Sequence, residues 1–181
     1  AVLVQPSVYG TDNEALLAAL QAHPKKFRGV AVIGNSIDKI SDQQLEQLHV
    51  AGIRGIRCNI VDLADRSAGL PIASLKKLAD RIQVFGWHLE LLMHVNEYPN
   101  LATVFEHFPV DLVFGHFGYC HAKHGIQNPG FQGLLELLKN GHAWAKMSGP
   151  YRISDGDLPY LDMRPFNDAL LKANPSRLVW G

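Results

Sequence analysis

The side chain with the clearest chemical potential is His116, which ends an apolar run at residues 112–115. A neutral imidazole in such a position can bind a metal ion or polarise a substrate carbonyl. Gly118, two residues later, lets the chain turn sharply or a ligand approach closely. The structural alternative is a core histidine bonded to a backbone carbonyl, and the position of His116 fits both interpretations. His116 is therefore the first candidate for catalysis and for metal binding.

Two arginines, Arg57 and Arg152, are the next candidates because each follows or ends an apolar run. Each carries a permanent cation with a planar fork of donors that suits a carboxylate. Two such residues at the opening of one binding site would indicate an anionic substrate. The alternative for either arginine is a structural salt bridge.

Further polar side chains lie at the ends of apolar runs or just beyond them and could contact a substrate: Gln5, Ser7, His94 and Tyr151. His94 could carry a proton or donate a hydrogen bond, or it could be structural. Residues 119–125 crowd a thiol and two imidazoles, but the spacing matches no closed zinc pattern, and we expect this loop to be exposed and mobile. The chain has no GxSxG, HExxH or GxxxxGK motif, so serine hydrolase and nucleotide-binding activities have no support.

The elements that must position these residues are seven short apolar runs that alternate with six amphipathic segments. The runs are mostly continuous and rich in Val, Ile and Leu, which is typical of strands covered on both faces. They span residues 2–7, 29–33, 53–59, 88–94, 111–116, 143–148 and 177–180. The amphipathic segments predict helices that lie over a sheet. They span residues 12–23, 42–51, 71–86, 99–108, 130–141 and 163–174.

This alternation predicts parallel strands joined by helical crossovers, in either an open doubly wound sheet or a closed barrel. A complete (β/α)8 TIM barrel has eight strands and about 250 residues. Because this chain has seven strands in 181 residues, we predict the α/β class of the TIM barrel, incomplete in this chain, with residues 1–181 as one partial domain. Chemistry in such barrels sits at the carboxyl ends of the strands, where the candidate residues are predicted to lie.

The composition predicts one soluble domain, with 47% hydrophobic residues, 19% charged residues and a formal net charge of zero. Nothing in it favours binding to nucleic acid or to a membrane. Cys58 and Cys120 form no disulfide framework, which favours a reducing cytoplasm. The expected partner is a small molecule, and the oligomeric state is not predicted.

At these positions the chain resembles the amidohydrolase-2 branch of the amidohydrolase superfamily, and within it the lactone hydrolases that act on 2-pyrone-4,6-dicarboxylate and related lactones. The resemblance covers essentially the whole chain in order. It is carried by Val4-Gln5-Pro6-Ser7, Tyr9-Gly10-Thr11-Asp12-Asn13, Gly52-Ile53-Arg54-Gly55-Ile56-Arg57 with Asn59, Trp87-His88-Leu89-Glu90-Leu91, Gly115-His116-Phe117-Gly118, Trp144-Ala145-Lys146-Met147-Ser148-Gly149 with Tyr151-Arg152, and Arg177-Leu178-Val179-Trp180-Gly181.

The resemblance implies attack of water on a lactone carbonyl, with an aspartate as general base. His116, together with an HxH pair or a divalent ion (Zn or Mn) held with it, would stabilise the developing oxyanion. Arg57 and Arg152 would hold substrate carboxylates, and Gln5, Ser7, His94 and Tyr151 would contribute further contacts. The family's HxH pair precedes this sequence and its aspartate follows it, so we expect the chain expressed alone to be inactive and poorly stable.

Two positions depart from the family pattern. Relatives commonly have Asp where this chain has Gly115, and a basic residue where it has Tyr119. Because position 119 carries no cation, the substrate could be a lactone other than a dicarboxylate pyrone. Two other functions stay open: non-oxidative decarboxylation of an aromatic acid, as in the same superfamily, and ligand binding without turnover.

Overall fold

The computed structural model of the chain describes residues 1–34, 40–62 and 70–181, and every structural statement below concerns these residues. The chain divides into two compact units, Ala1–Glu90 and Leu91–Gly181.

The first unit contains three complete parallel strands and the start of a fourth. The strands are β1 (Val2–Val4), β2 (Arg28–Ala31), β3 (Ile53–Asn59) and β4 (His88–Leu92), which runs into the second unit; the helices are α1 (Glu14–Ala22), α2 (Asp42–Val50) and α3 (Ile72–Ile82). In the parallel register, Leu3 lies opposite Gly29, and Ala31 lies opposite Ile56. Helix α2 begins at a capping box, in which Ser41 and Gln44 each bind the other's backbone N–H.

The second unit repeats the same pattern. Its helices are α4 (Leu101–Phe105), α5 (Pro129–Lys139) and α6 (Arg164–Ala173), and its strands after β4 are β5 (Leu112–Phe114), β6 (Ala143–Met147) and β7 (Leu178–Trp180). Val113 pairs with Trp144, and Lys146 pairs with Val179, both in parallel register. Helix α5 begins where the Asn128 side chain accepts hydrogen bonds from two backbone N–H groups, at Gly130 and Phe131.

The order of the strands is β1-β2-β3-β4 in the first unit and β4-β5-β6-β7 in the second, so each strand lies beside its neighbour in sequence. Parallel strands in sequential order, each joined to the next through a helix, are the arrangement of a TIM barrel. The predicted fold class, a TIM barrel that is incomplete in this chain, is confirmed. Within the described ranges, no helix has the length and apolar character needed to cross a membrane.

Several elements are shorter than the sequence pattern predicts. Strand β1 ends at Val4 instead of residue 7, because Pro6 has no N–H for a sheet ladder and Ser7 begins a 3-10 turn. Strand β5 ends at Phe114, because the chain turns into a left-handed conformation at His116. Helix α4 covers five residues, Leu101–Phe105, where ten were predicted.

One histidine of the first unit ties helix α2 to the start of β4. The indole N–H of Trp87 donates to Nδ1 of His49 at 2.9 Å, and the two rings stack at a centroid distance of 6.0 Å. Burial, followed by the nearby charge of Arg54, lowers the pKa of His49. Because an indole nitrogen only donates, this contact requires an unprotonated Nδ1.

We expect acid to weaken the fold through His49. In the unfolded chain the pKa of a histidine is about 6.5, and in the folded chain the pKa of His49 is lower. The stabilisation from this hydrogen bond is therefore complete above about pH 6.5 and is lost as the pH falls below that value. The hydrogen bond is worth about 1 kcal/mol. His49→Asn, which keeps an acceptor that does not titrate, should lose this part of the pH dependence in urea unfolding. The control is His107→Asn, at an exposed histidine, which should keep the wild-type pH dependence of stability. The same pH dependence in His49→Asn and wild type would contradict this role of His49.

Candidate functional site

The predicted site residues lie at the carboxyl ends of their strands or just beyond them. Arg57 lies within the last three residues of β3, and Gln5, His94, His116 and Ser148 follow β1, β4, β5 and β6 within two residues. Ser7 begins the 3-10 turn after β1, and Tyr151 and Arg152 lie in the 3-10 turn Pro150–Arg152 after β6. This is the end of a parallel barrel at which ligands bind. The part that each of these residues plays stays a prediction.

His116 begins an unusual turn in which four consecutive residues have positive φ. The angles are 50° at His116, 57° at Phe117, 69° at Gly118 and 51° at Tyr119. A left-handed conformation costs roughly 1–2 kcal/mol for a residue with a side chain, so packing must hold this turn in place. Gly118 supplies part of that packing, since a Cβ atom there would lie 2.8 Å from a methyl carbon of Leu134. Strain of this kind concentrates at functional sites.

The imidazole of His116 is fixed through one of its two ring nitrogens. Nδ1 lies 3.1 Å from the backbone oxygen of Ser148 and 3.1 Å from its hydroxyl. A carbonyl oxygen can only accept, so the contact with it assigns the proton to Nδ1. Nε2 is then the ring atom that can accept a proton, bind a metal ion or, in the imidazolium form, donate to an oxyanion.

His94 is held in the same way. Its Nδ1 lies 3.0 Å from the backbone oxygen of Tyr119, and its ring lies 4.7 Å from the Tyr119 ring. The Tyr119 ring also lies 5.8 Å from that of His116. The second unit therefore brings together two imidazoles, each oriented by a backbone carbonyl, around one tyrosine. Orientation by a carbonyl at Nδ1 is the usual support of a functional histidine.

Arg152 extends this cluster with a cation. A hydrogen bond to the Tyr119 hydroxyl, followed by one to Tyr151, raises the pKa of Arg152. Its guanidinium carbon lies 5.4 Å from the centre of the Tyr151 ring, and both side chains are exposed. Within the residues that the structure describes, no carboxylate is paired with Arg152. The predicted salt-bridge alternative therefore does not apply to this arginine.

Arg57 belongs to a separate cluster in the first unit. Its Nη1 donates to the backbone oxygen of Gln5 at 2.8 Å, and its Nε lies 3.8 Å from the Glu90 carboxylate. Nε is buried and has no hydrogen-bond partner in the described ranges. Arg57 is thus partly committed to a buried ion pair, which is the structural alternative that the sequence left open.

Gln5 and Ser7 contribute to the same end of the first unit. The side-chain amide of Gln5, which is buried, donates to the backbone oxygen of Asp12, so its Oε1 is what it can offer to a ligand. The Ser7 hydroxyl accepts from the Asn59 amide at 3.1 Å. A cavity of about 300 Å³ is lined in part by Ser7, Arg57, Asn59 and Asp62. This cavity is large enough for a small molecule.

The sequence predicts an exposed loop at residues 119–125, but the structure buries part of this segment. Cys120 is fully buried, Ala122–His124 forms a 3-10 helix, and His121 lies 3.5 Å from Asp155. Tight packing at Gly118 draws the start of the loop inward. Both cysteines are free, as predicted, and burial raises the pKa of each thiol to about 12. Neither thiol is therefore a ready nucleophile at neutral pH.

Gly149 is a contributor that sequence reasoning did not single out. It adopts φ +64°, and a Cβ atom there would lie 2.7 Å from Nδ1 of His116 and 3.4 Å from Cδ of Arg152. The available signal was a glycine directly after the predicted apolar run at residues 143–148. Its absent side chain lets the backbone pass between the imidazole and the arginine.

We expect Gly149→Ala to lower the free energy of unfolding by about 2–4 kcal/mol, from backbone strain together with displacement of the His116 ring. Gly86 is a matched control because it also has φ +64° and has nothing within 4 Å of a Cβ position. Gly86→Ala should cost only the strain, about 1 kcal/mol. Equal losses of unfolding free energy for the two variants in urea would show that the contact with His116 does not contribute to stability.

The sequential parallel strands, with candidate site residues at their carboxyl ends, define the TIM-barrel class. The chain belongs to the amidohydrolase family, whose profile matches residues 1–181. The family predicted from the sequence is thus confirmed.

Three comparisons show what the chain is similar to. It is 33% identical over 190 aligned positions to the 2-pyrone-4,6-dicarboxylate hydrolase of Comamonas testosteroni, with 99% of this chain and 60% of that protein covered. It is 26% identical over 180 positions to a 4-sulfomuconolactone hydrolase of Hydrogenophaga intermedia, covering 99% and 58%. A Pseudomonas putida structure, provisionally assigned as a 2-pyrone-4,6-dicarboxylic acid hydrolase, superposes with a TM-score of 0.81 at 35% identity, covering 99% and 65%. The chain therefore spans about 60% of the length of its curated relatives.

Proposed function

We propose that this protein opens the ring of a carboxylated lactone by hydrolysis, with 2-pyrone-4,6-dicarboxylate as the first substrate to test. The observation that carries the proposal is the oriented His116 imidazole in one cluster with the Arg152 guanidinium. The name of the Comamonas testosteroni relative, a hydrolase of this pyrone, supports the choice of substrate.

Ring opening adds water across the acyl C–O bond of the lactone. The water oxygen bonds to the acyl carbon, the ring oxygen leaves with a proton, and a new carboxylic acid forms. Negative charge develops on the carbonyl oxygen as water adds, and a donor aimed at that oxygen stabilises the transition state. His116 fits this role in its imidazolium form, in which Nε2 carries a proton and can donate, and its contact with the Ser148 carbonyl fixes the ring and directs Nε2 toward one position.

The arginines are proposed to bind the substrate's carboxylates. Arg152 is the stronger candidate because its described partners are neutral hydroxyls, which leave its positive charge uncompensated. Arg57 shares its charge with Glu90, so it would bind an anion less strongly. His94 and Tyr151, in the second unit, are proposed as further substrate contacts, and the predicted roles of Gln5 and Ser7, in the first unit, stay predictions.

A divalent ion, which the family resemblance implies, needs several donor side chains close together. Among residues 1–34, 40–62 and 70–181, no cluster of three or more His, Cys, Asp or Glu side chains could hold a metal ion. His116 offers one nitrogen, and zinc sites in proteins use at least three protein ligands. The described residues therefore do not fit a metal ion by themselves, and no step here is assigned to one.

The test is an assay of the purified whole protein with 2-pyrone-4,6-dicarboxylate. We expect the ring absorbance to disappear while one equivalent of acid is released for each ring opened. 4-Sulfomuconolactone, named for the second relative, is the comparison substrate. An unchanged pyrone spectrum would contradict the substrate, and release of carbon dioxide from an aromatic acid would favour the decarboxylase alternative.

A further inference from the structure

Lys146 is a cation of the second unit to which the proposed mechanism gives no role. It lies one residue before the end of β6 and is half-buried, whereas Ala143 and Ala145 on the same strand are fully buried. Successive side chains of a strand point to opposite faces, so Lys146 lies on the face opposite to these alanines. Lysine is mostly an exposed residue, so a half-buried lysine within a strand indicates a polar or anionic neighbour.

Gly115, directly after β5, lies beside Lys146. The parallel register places Phe114 opposite Ala145, and a Cβ atom at the next residue, Gly115, would lie 3.8 Å from Cε of Lys146. The Phe114 ring packs against Phe105 of α4. Gly115 therefore faces away from that helix, toward the side of the sheet on which Lys146 lies.

Neither the backbone conformation nor the described packing requires a glycine at position 115. Its φ of −73° and ψ of 149° suit any residue, and a Cβ atom there would meet nothing described closer than a methyl carbon of Leu92 at 3.7 Å. An alanine would fit and would lose less conformational entropy on folding. A glycine that the fold does not require is typical of a place where a ligand comes close to the backbone. This place lies directly before His116 and beside Lys146.

We propose that Gly115 and Lys146 form a second carboxylate site in the second unit, where the carboxylate lies over the Gly115 backbone and accepts a hydrogen bond from Nζ of Lys146. The inference rests on the proposed function and deepens it, because it makes the substrate a lactone with two carboxylates. Arg152 is proposed for one of them, and Arg57, in the first unit, shares its charge with Glu90. An ammonium group has three N–H donors, so it can bind a carboxylate in addition to a protein group.

The experiment compares Lys146→Met with the wild type, as whole proteins, on 2-pyrone-4,6-dicarboxylate and on the two pyrones that keep only the 4-carboxylate or only the 6-carboxylate. Loss of a hydrogen bond to a charged group predicts a rise in KM for the dicarboxylate of about 10- to 150-fold. We expect kcat to change by less than about threefold, because a carboxylate remote from the reacting bond is bound alike in substrate and transition state.

The two monocarboxylates show which carboxylate Lys146 binds. For the pyrone that lacks this carboxylate, KM should be the same in Lys146→Met and wild type, because the lost interaction has no counterpart on that substrate. Lys172→Met, at an exposed lysine of α6, is the matched control and should leave KM for all three pyrones unchanged.

Gly115→Ala tests the same site without removing a charge. The added methyl group fits the protein, so the midpoint of thermal unfolding should not fall. The methyl group does occupy the space proposed for the carboxylate, so KM for the dicarboxylate should rise about fivefold or more, from the usual cost of overpacking. A wild-type KM in this variant would contradict the site, also in the case that Lys146→Met fails to fold.

The remaining outcomes separate this inference from the proposed function. An unchanged KM for the dicarboxylate in Lys146→Met, or an equal rise for all three pyrones, would overturn the carboxylate site and leave lactone hydrolysis by the wild type intact. A lower unfolding midpoint with an unchanged KM would mean that Lys146 has a structural role only. If the wild type neither turns over nor binds any of the three pyrones in calorimetry, the proposed function and the inference both fail.

Discussion

Replacing His116 by Asn is expected to lower kcat for lactone opening by about 10²- to 10³-fold, the usual effect of removing one oxyanion donor. Asparagine is the substitution of choice because it tolerates the left-handed backbone that His116 adopts at φ 50°. The shorter amide keeps the turn but does not place a donor where Nε2 lies. The fold should therefore remain while the chemistry is lost.

The control for this variant is His142→Asn, an exposed histidine just before β6. It should retain wild-type kcat and KM. If His116→Asn kept more than about a tenth of wild-type kcat, the loss would be too small for an oxyanion donor. His116 would then be the core histidine that the sequence also allowed.

Replacing Arg152 by Met is expected to reduce kcat/KM for a carboxylated lactone by roughly 30- to 900-fold, which corresponds to about 2–4 kcal/mol of transition-state binding. Methionine preserves the length and apolar stem of the side chain and removes its charge. The effect should fall mostly on KM, because a carboxylate remote from the reacting bond is bound alike in substrate and transition state.

Arg164→Met is the matched control, since Arg164 is an exposed arginine at the start of α6 that forms an i,i+4 ion pair with Asp168. It should leave kcat/KM unchanged. Arg57 would be a poorer test, because its loss would remove a cation beside the buried Glu90 carboxylate and destabilise the first unit. Equal kcat/KM for Arg152→Met and wild type would remove Arg152 from the site.

The sequence alone determined the strands, their parallel order and the end of the sheet that carries the site. Continuous apolar runs such as residues 53–59 and 88–92 have to be buried on both faces, and amphipathic segments between them leave few other ways to do so. Once the strands are parallel, a polar residue that ends a run must lie at the carboxyl end. His116, Arg57 and His94 were located in this way without any knowledge of their contacts.

Tertiary structure alone decided which of these residues meet and how each is held. The contacts of His116 with Ser148, of His94 with Tyr119 and of Arg57 with Gln5 join positions 32, 25 and 52 residues apart, and no local pattern encodes them. The left-handed turn is likewise not a preference of His, Phe or Tyr. Packing of Gly118 against Val95 and Leu134 imposes it, because the free energy gained by burial exceeds the local strain.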